Sequence, residues 1–157
     1  MKIAILTLRF ETNYGCLLQA YALQTALERL GHEVEHLQPQ PWFLHLHPAW
    51  QMPFVWVKRL YRKYLCGDRK LPVFENPYKW IRKYTDKFIE NNIHCRYLEE
   101  KEWGTGLVGD YDFFLVGSDQ VWRPRFALNL GQFFLNFIDG AKTGRISYSA
   151  SFGVDYD

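Results

Sequence analysis

Residues 3–8, Ile-Ala-Ile-Leu-Thr-Leu, make a nearly unbroken apolar run. Such a run predicts a strand covered on both faces, since polar alternation disappears when neither face meets water. The polar residues 9–15 follow as a turn. A helical pattern then continues to Leu30, with Cys16, Ala20, Leu23, Leu27 and Leu30 on the side expected to face a sheet. Thr12 or Asn13 is placed to cap this helix through a short side-chain oxygen, and Gly31 to end it in the left-handed conformation. Residues 32–37 predict a second strand. Together these segments form a βαβ unit, whose crossover is right-handed in a parallel sheet.

Prolines 39, 41, 48 and 53 exclude a regular element over residues 39–53, which are expected to form a surface loop. Residues 54–65 read as a basic, aromatic helix carrying Lys58, Arg59, Arg62 and Lys63, and residues 67–77 as a break. Residues 78–91 predict an amphipathic helix with Trp80-Ile81, Tyr84-Thr85 and Phe88-Ile89 along one side. A strand is expected over 93–98, a polar stretch with a short helical turn over 99–110, and a clear strand over 111–117. Residues 133–138 fit either strand or helix, and 145–150 predict a last strand. The expected fold class is α/β. It is a Rossmann-like parallel sheet flanked by helices over residues 1–157, with an aromatic, Pro-rich insert at about 39–77.

Three polar bends sit at the carboxyl ends of predicted strands, the edge where parallel sheets bind ligands. The first holds Asn13, Tyr14 and Gly15, with Gln19 one helical turn further on. Backbone NH groups in a first helical turn lack internal partners, so phosphate, carboxylate or sugar oxygens can dock there. The second bend is Gly117-Ser118-Asp119-Gln120-Val121-Trp122, and the third is Ser151-Phe152-Gly153. Asp119 would accept from sugar hydroxyls or act as a base, with Ser118 and Gln120 beside it and Trp122 stacking on a sugar face. Ser151 and Gly153 would complete the edge. Each residue also has a plainer reading. Asn13 and Asp119 serve as helix caps, Gly15 relieves packing, Gln19 is a surface amide, Trp122 is core and Ser151-Phe152-Gly153 is an ordinary turn.

Composition narrows the field. An apolar fraction of 48% with 23% charged residues marks a globular chain. The 18% aromatic content fills a core or stacks on sugars. A net charge of +2 gives no general case for nucleic acid or membrane binding. The basic segment around residues 58–63 is a solvated face or a contact to an anionic polymer or membrane surface, so peripheral association stays open. Cys16, Cys66 and Cys95 lack metal or redox spacing and read as free thiols of a reducing cytoplasm. The register of Cys16 argues that its thiol is buried. His45 and His47 have no evident third ligand, so no metal is expected. No His is placed beside a serine for triad chemistry. The N-terminal apolar run is too short for a signal peptide, and no run is long enough to cross a bilayer.

The segments Thr12-Asn13-Tyr14-Gly15 with Leu18-Gln19-Ala20-Tyr21-Ala22-Leu23, then Gly117-Ser118-Asp119-Gln120-Val121-Trp122, then Ser149-Ala150-Ser151-Phe152-Gly153, occur in this order. As an ordered set they resemble the N-terminal part of the polysaccharide pyruvyl transferase family. The resemblance implies a two-domain enzyme similar in architecture to GT-B glycosyltransferases. It would move a pyruvyl group from phosphoenolpyruvate, as donor co-substrate with no other cofactor, onto two hydroxyls of a sugar or lipid-linked glycan. This domain would line the acceptor side of a cleft at the inner face of the membrane, in exopolysaccharide or cell-wall glycan synthesis. A C-terminal domain outside this chain is expected to grip the donor with Arg and His, leaving the chain inactive alone. The phosphate and carboxylate of the donor call for forked Arg donors or helix N-termini, and protonation of its methylene carbon needs a positioned acid. Two rival readings remain: a GT-B-like glycosyltransferase using a nucleotide sugar, and a non-catalytic module that binds glycan or a partner.

Overall fold

Five strands, β1 (Lys2–Leu6), β2 (Glu33–Pro39), β3 (Cys95–Leu98), β4 (Phe113–Asp119) and β5 (Gly144–Ala150), form one all-parallel sheet in the order β3-β2-β1-β4-β5. Helix α1 (Tyr14–Arg29) joins β1 to β2, and α2 (Lys83–Asn92) precedes β3. A 3₁₀ turn (Glu100–Glu102) and the short helices α3 (Thr105–Val108) and α4 (Leu130–Phe133) flank β4 in the chain. This computed structural model describes residues 1–11, 13–40, 53, 57, 61, 64, 82–124, 129–138 and 143–153. The backbone divides into two compact units, Met1–Gln40 with Tyr84–Asp157, and Pro41–Lys83. In the second unit, Pro53, Val57, Tyr61 and Tyr64 are helical, and the side chains of Val57, Tyr61 and Tyr64 are exposed. The expected loops over 39–53 and 67–77, with His45, His47 and Cys66, otherwise lie outside the described residues, as does most of the basic segment.

The apolar run of β1 is buried on both faces because alternate residues point to opposite sides. Ile3 and Ile5 join Val34 and Leu115 beneath Leu23 and Leu27 of α1. Ala4 and Leu6 join Leu37, Leu98, Phe114 and Val116 on the other face, closed by Leu107, Leu135 and Ile138. The expected stripe holds at Cys16 and Ala20, which are buried, and at Leu23 and Leu27, which pack on the sheet; it gains two residues and loses one. Leu17 and Gln24 are buried, whereas Leu30 is 71% exposed, because α1 ends at Arg29 and Leu30 is its C-cap. Gly31 follows with φ 85 and ends the helix as anticipated. Buried Gln24 is satisfied at both ends of its amide: Nε2 donates to the Asn92 carbonyl (3.2 Å), and Oε1 accepts from His94 N (3.0 Å). Gln38 does the same for the β1–α1 turn, accepting from Phe10 N and donating to the Leu8 carbonyl, each at 3.3 Å.

Other boundaries moved for local reasons. Pro39 closes β2 instead of opening a loop, and the next amide, Gln40 N, donates to the Leu98 carbonyl at 3.0 Å. Helix α2 buries Thr85 and Ile89 one turn apart, which leaves Tyr84 exposed, against the expected stripe. Residues 133–138 are not a strand. The chain there completes α4, capped by Asn129 Oδ1 accepting from Gly131 N at 3.1 Å, and continues in turns to Ile138.

His36, on β2, is buried edge-on against Phe10, with ring centroids 5.4 Å apart. Among the described residues, neither ring nitrogen reaches a partner with full hydrogen-bond geometry. Burial pushes its pKa down to about 4; the Ala20 backbone offsets part of that shift and His94 adds to it. The unfolded chain therefore binds a proton near pH 6.5 that the folded chain refuses until about 4, so stability is complete above 6.5 and falls with pH across that window. The shift corresponds to roughly 3 kcal/mol. Urea unfolding at pH 7 and near pH 4.5 should show this loss, and His36→Phe should flatten it. An unchanged slope in the variant would assign the acid sensitivity elsewhere.

Candidate functional site

From β1 the chain winds one way through β2 and β3, then the other way through β4 and β5. The order reverses between β1 and β4, and a crevice opens beyond the carboxyl ends of strands at such a point. Thr7, just past β1, is buried there, and its Oγ1 donates to the Ser118 carbonyl at 3.2 Å. This bond ties the two diverging strand ends together. Ser118 Oγ donates to Gln19 Oε1 of α1 at 3.4 Å. Between α1 and the ends of β4 and β5 lies an open groove of about 480 Å³, lined by Gln19, Ser118, Asp119, Tyr148 and Ser149, with small residues of α1 along one wall. That volume falls in the range of small-molecule sites.

The backbone on the sheet side of this groove is unusual. Gly117 has φ 129, Asp119 has φ 87 and Ser149 has φ 49. Non-glycine residues held at positive φ store strain, and they cluster at functional positions. Asp119 is held by its surroundings. Its carbonyl accepts from Val121 N (2.9 Å) and Ser151 N (3.0 Å), and its Oδ1 accepts from Gln120 N (2.8 Å). Its Oδ2 makes no hydrogen bond among the described residues. The Cys16 thiol is buried and donates to the Leu8 carbonyl at 3.9 Å. Burial, with the Asp119 charge adding to it, pushes its pKa up to about 12, so Cys16 is an inert packing residue.

The expected site residues fall into three groups. Asn13 is the N-cap of α1, its Oδ1 accepting from Gly15 N (3.0 Å) and Cys16 N (3.4 Å). A Cβ at Gly15 would stand 3.2 Å from that oxygen, so the glycine makes room for the cap. Tyr14 is exposed at the start of the helix. These three stand at the helix N-terminus and do not line the groove; Gln19, Ser118 and Asp119 do. The remaining four, Gln120, Trp122, Ser151 and Gly153, build the adjoining turn. Gln120 Oε1 accepts from Arg123 Nη1 at 2.9 Å, and the Gln120 side chain lies where a Cβ of Gly153 (φ 71) would be. Trp122 N donates to the Ser151 carbonyl and its Nε1 to the Phe133 carbonyl, each at 3.2 Å. The indole stacks on Phe134 with centroids 5.8 Å apart and meets Phe152 at a tilt. Trp122 thus packs the β4 and β5 ends together.

Because β1, β4 and β5 are parallel neighbours, the three polar bends share one edge of the sheet. Tyr148 was not singled out from the sequence, and Ser149 only as the start of the third motif, not as a site residue. They enter through the register Gly117↔Tyr148 and Asp119↔Ala150, which sets that part of β5 beside Ser118 and Asp119. Thr7 had one visible signal, a lone hydroxyl at the end of an apolar run. Among the described residues, no three His, Cys, Asp or Glu side chains gather as metal ligands. No described helix is long and apolar enough to cross a membrane.

A parallel sheet wound outward from β1, with a polar groove at its reversal point, defines a Rossmann-like α/β domain. The family model for polysaccharide pyruvyl transferase matches residues 13–157, so the chain belongs to that transferase family. The match begins at the cap of α1 and takes in all three polar bends. No curated protein matches the chain.

Proposed function

We propose that this chain is the acceptor-binding part of an enzyme that transfers pyruvate from phosphoenolpyruvate to two hydroxyls of a sugar or lipid-linked glycan, as a cyclic ketal. The observation that carries the reading is the groove holding Gln19, Ser118 and Asp119 at the sheet's reversal point in a chain of this family. Protonation of the donor's methylene carbon makes C2 electrophilic. The first hydroxyl adds to C2 and gives up its proton, inorganic phosphate leaves, and the second hydroxyl closes the ring. Asp119 takes the proton from a hydroxyl, while Ser118 and Gln19 hold the sugar by hydrogen bonds. Asn13, Tyr14 and Gly15 present the helix N-terminus beside the groove, and Gln120, Trp122, Ser151 and Gly153 hold the adjoining rim. A second, GT-B-like domain supplies the donor grip and the acid. No cofactor beyond the donor is required. A lipid-linked acceptor brings the enzyme to the cytoplasmic face of the membrane.

The test is to incubate the complete enzyme with phosphoenolpyruvate and a panel of free and lipid-linked oligosaccharides. Phosphate release that depends on acceptor, with a product gaining one pyruvate less one water, is expected. Turnover of a nucleotide sugar with nucleotide release would overturn the reading. So would saturable glycan binding with no donor consumed.

A further inference from the structure

A second, smaller pocket of about 40 Å³ opens at the ends of β1 and β2, lined by Thr7, Arg9, Leu37, Trp103, Gln132 and Phe133 among others. Leu37 belongs to the sheet face opposite α1, so this pocket and the groove flank β1 on different faces. Thr7 links the two: it lines the pocket, and its hydroxyl donates to the carbonyl of Ser118, a residue of the groove. A water needs roughly 10–15 Å³ of such space, so the pocket takes about three waters or one group of that size. A carboxylate or a phosphate fits this volume; a sugar ring does not.

Arg9 is the charge in this pocket. It is half-buried, and no carboxylate lies within ion-pair distance of it among the described residues. Glu11 acts on it only through a longer-range attraction, and burial lowers its pKa. Taking a guanidinium partly out of water without a partner is costly, and a bound oxyanion offsets that cost. The guanidinium is also the side chain best shaped to grip a carboxylate or phosphate, through two parallel hydrogen bonds. The Gln132 amide lies in the same wall as a further donor, while Leu37, Trp103 and Phe133 keep the floor apolar and strengthen the attraction.

We propose that the Arg9 pocket is an oxyanion subsite that takes one carboxylate or phosphate group of a reactant beside the acceptor groove. The pocket stands on its own geometry; only the assignment of that group to a reactant rests on the pyruvyl transfer reading. The group comes either from phosphoenolpyruvate or from an acidic substituent of the glycan.

The experiment titrates phosphoenolpyruvate, pyruvate and inorganic phosphate into the full-length protein and into its Arg9→Met and Arg9→Lys variants, following the Trp103 indole NH by NMR. Saturable binding of at least one probe is expected in the wild type. It should weaken at least ~10-fold in Arg9→Met and partly survive in Arg9→Lys, with unfolding midpoints unchanged. Asp119→Asn should bind the same probe as the wild type does. Failure of all three probes to bind, or equal binding by Arg9→Met, would overturn the subsite. In steady-state assays, a raised KM for phosphoenolpyruvate alone assigns the group to the donor, and a raised KM for the glycan alone assigns it to the acceptor. No change in either counts against the subsite. Arg9-dependent anion binding without any turnover of phosphoenolpyruvate would sink pyruvyl transfer and leave the subsite standing.

Discussion

Asp119→Asn in the complete enzyme is expected to lower ketal formation by about 10²–10⁴-fold, the usual contribution of a positioned general base, without unfolding the domain. Asn occupies the same space, can still accept the 2.8 Å bond from Gln120 N and tolerates φ 87 better than most residues, so only the basic oxygen is lost. Asp119→Gly separates the chemical role from the conformational one. Glycine adopts that φ without steric cost, so the strain is relieved while the carboxylate is removed. Both variants should lose acceptor-dependent phosphate release and keep the wild-type circular dichroism spectrum. Wild-type turnover in Asp119→Asn would remove this residue from catalysis and leave the groove without a base.

The largest loss of stability should come from Gly117→Ala. A Cβ there would overlap the Tyr148 carbonyl oxygen and stand 3.0 Å from its carbonyl carbon, and the site has φ 129, which L-residues rarely adopt. The obstacle is backbone of the neighbouring strand, so no side chain can swing away to relieve it. β4 and β5 must part at the place where they form the groove. A cost of at least ~3 kcal/mol is expected in urea unfolding, from the clash and the conformational strain together. Gly31→Ala provides the comparison. It also has a positive φ, 85, but a Cβ there meets nothing within 4 Å, so only the conformational cost of about 1 kcal/mol remains. Equal losses in the two variants would show that the strands do not approach so closely.

Local patterns carried much of the fold into view. The first four residues of the 3–8 run became most of β1, which ends at Leu6, because their apolar side chains serve both faces of the sheet. Asn13 and Gly31 bound α1 because a cap oxygen and a positive φ are short-range requirements. The errors came where burial depended on distant neighbours. Leu30 and Tyr84 carry apolar groups at helical spacing, yet both remain exposed. Gln24 and Gln38 went unremarked in the sequence; they are buried because their partners, His94 N and Phe10 N, come from other segments. An amide's burial is decided by whether the fold supplies its hydrogen bonds.

The family was legible in the residues themselves, since its three bends are short, ordered and local, and the match over residues 13–157 agrees with that reading. The amino-acid order by itself also determined the α/β class, the parallel βαβ start and the polar character of each strand end. Only the tertiary structure decided which bends meet. Strand order β3-β2-β1-β4-β5 and the pairing of Gly117 with Tyr148 depend on contacts between residues far apart in the chain, whose closure no local pattern encodes. Those contacts set Gln19, Ser118 and Asp119 beside Tyr148 and Ser149, and left Arg9 in a pocket of its own on the other side of β1.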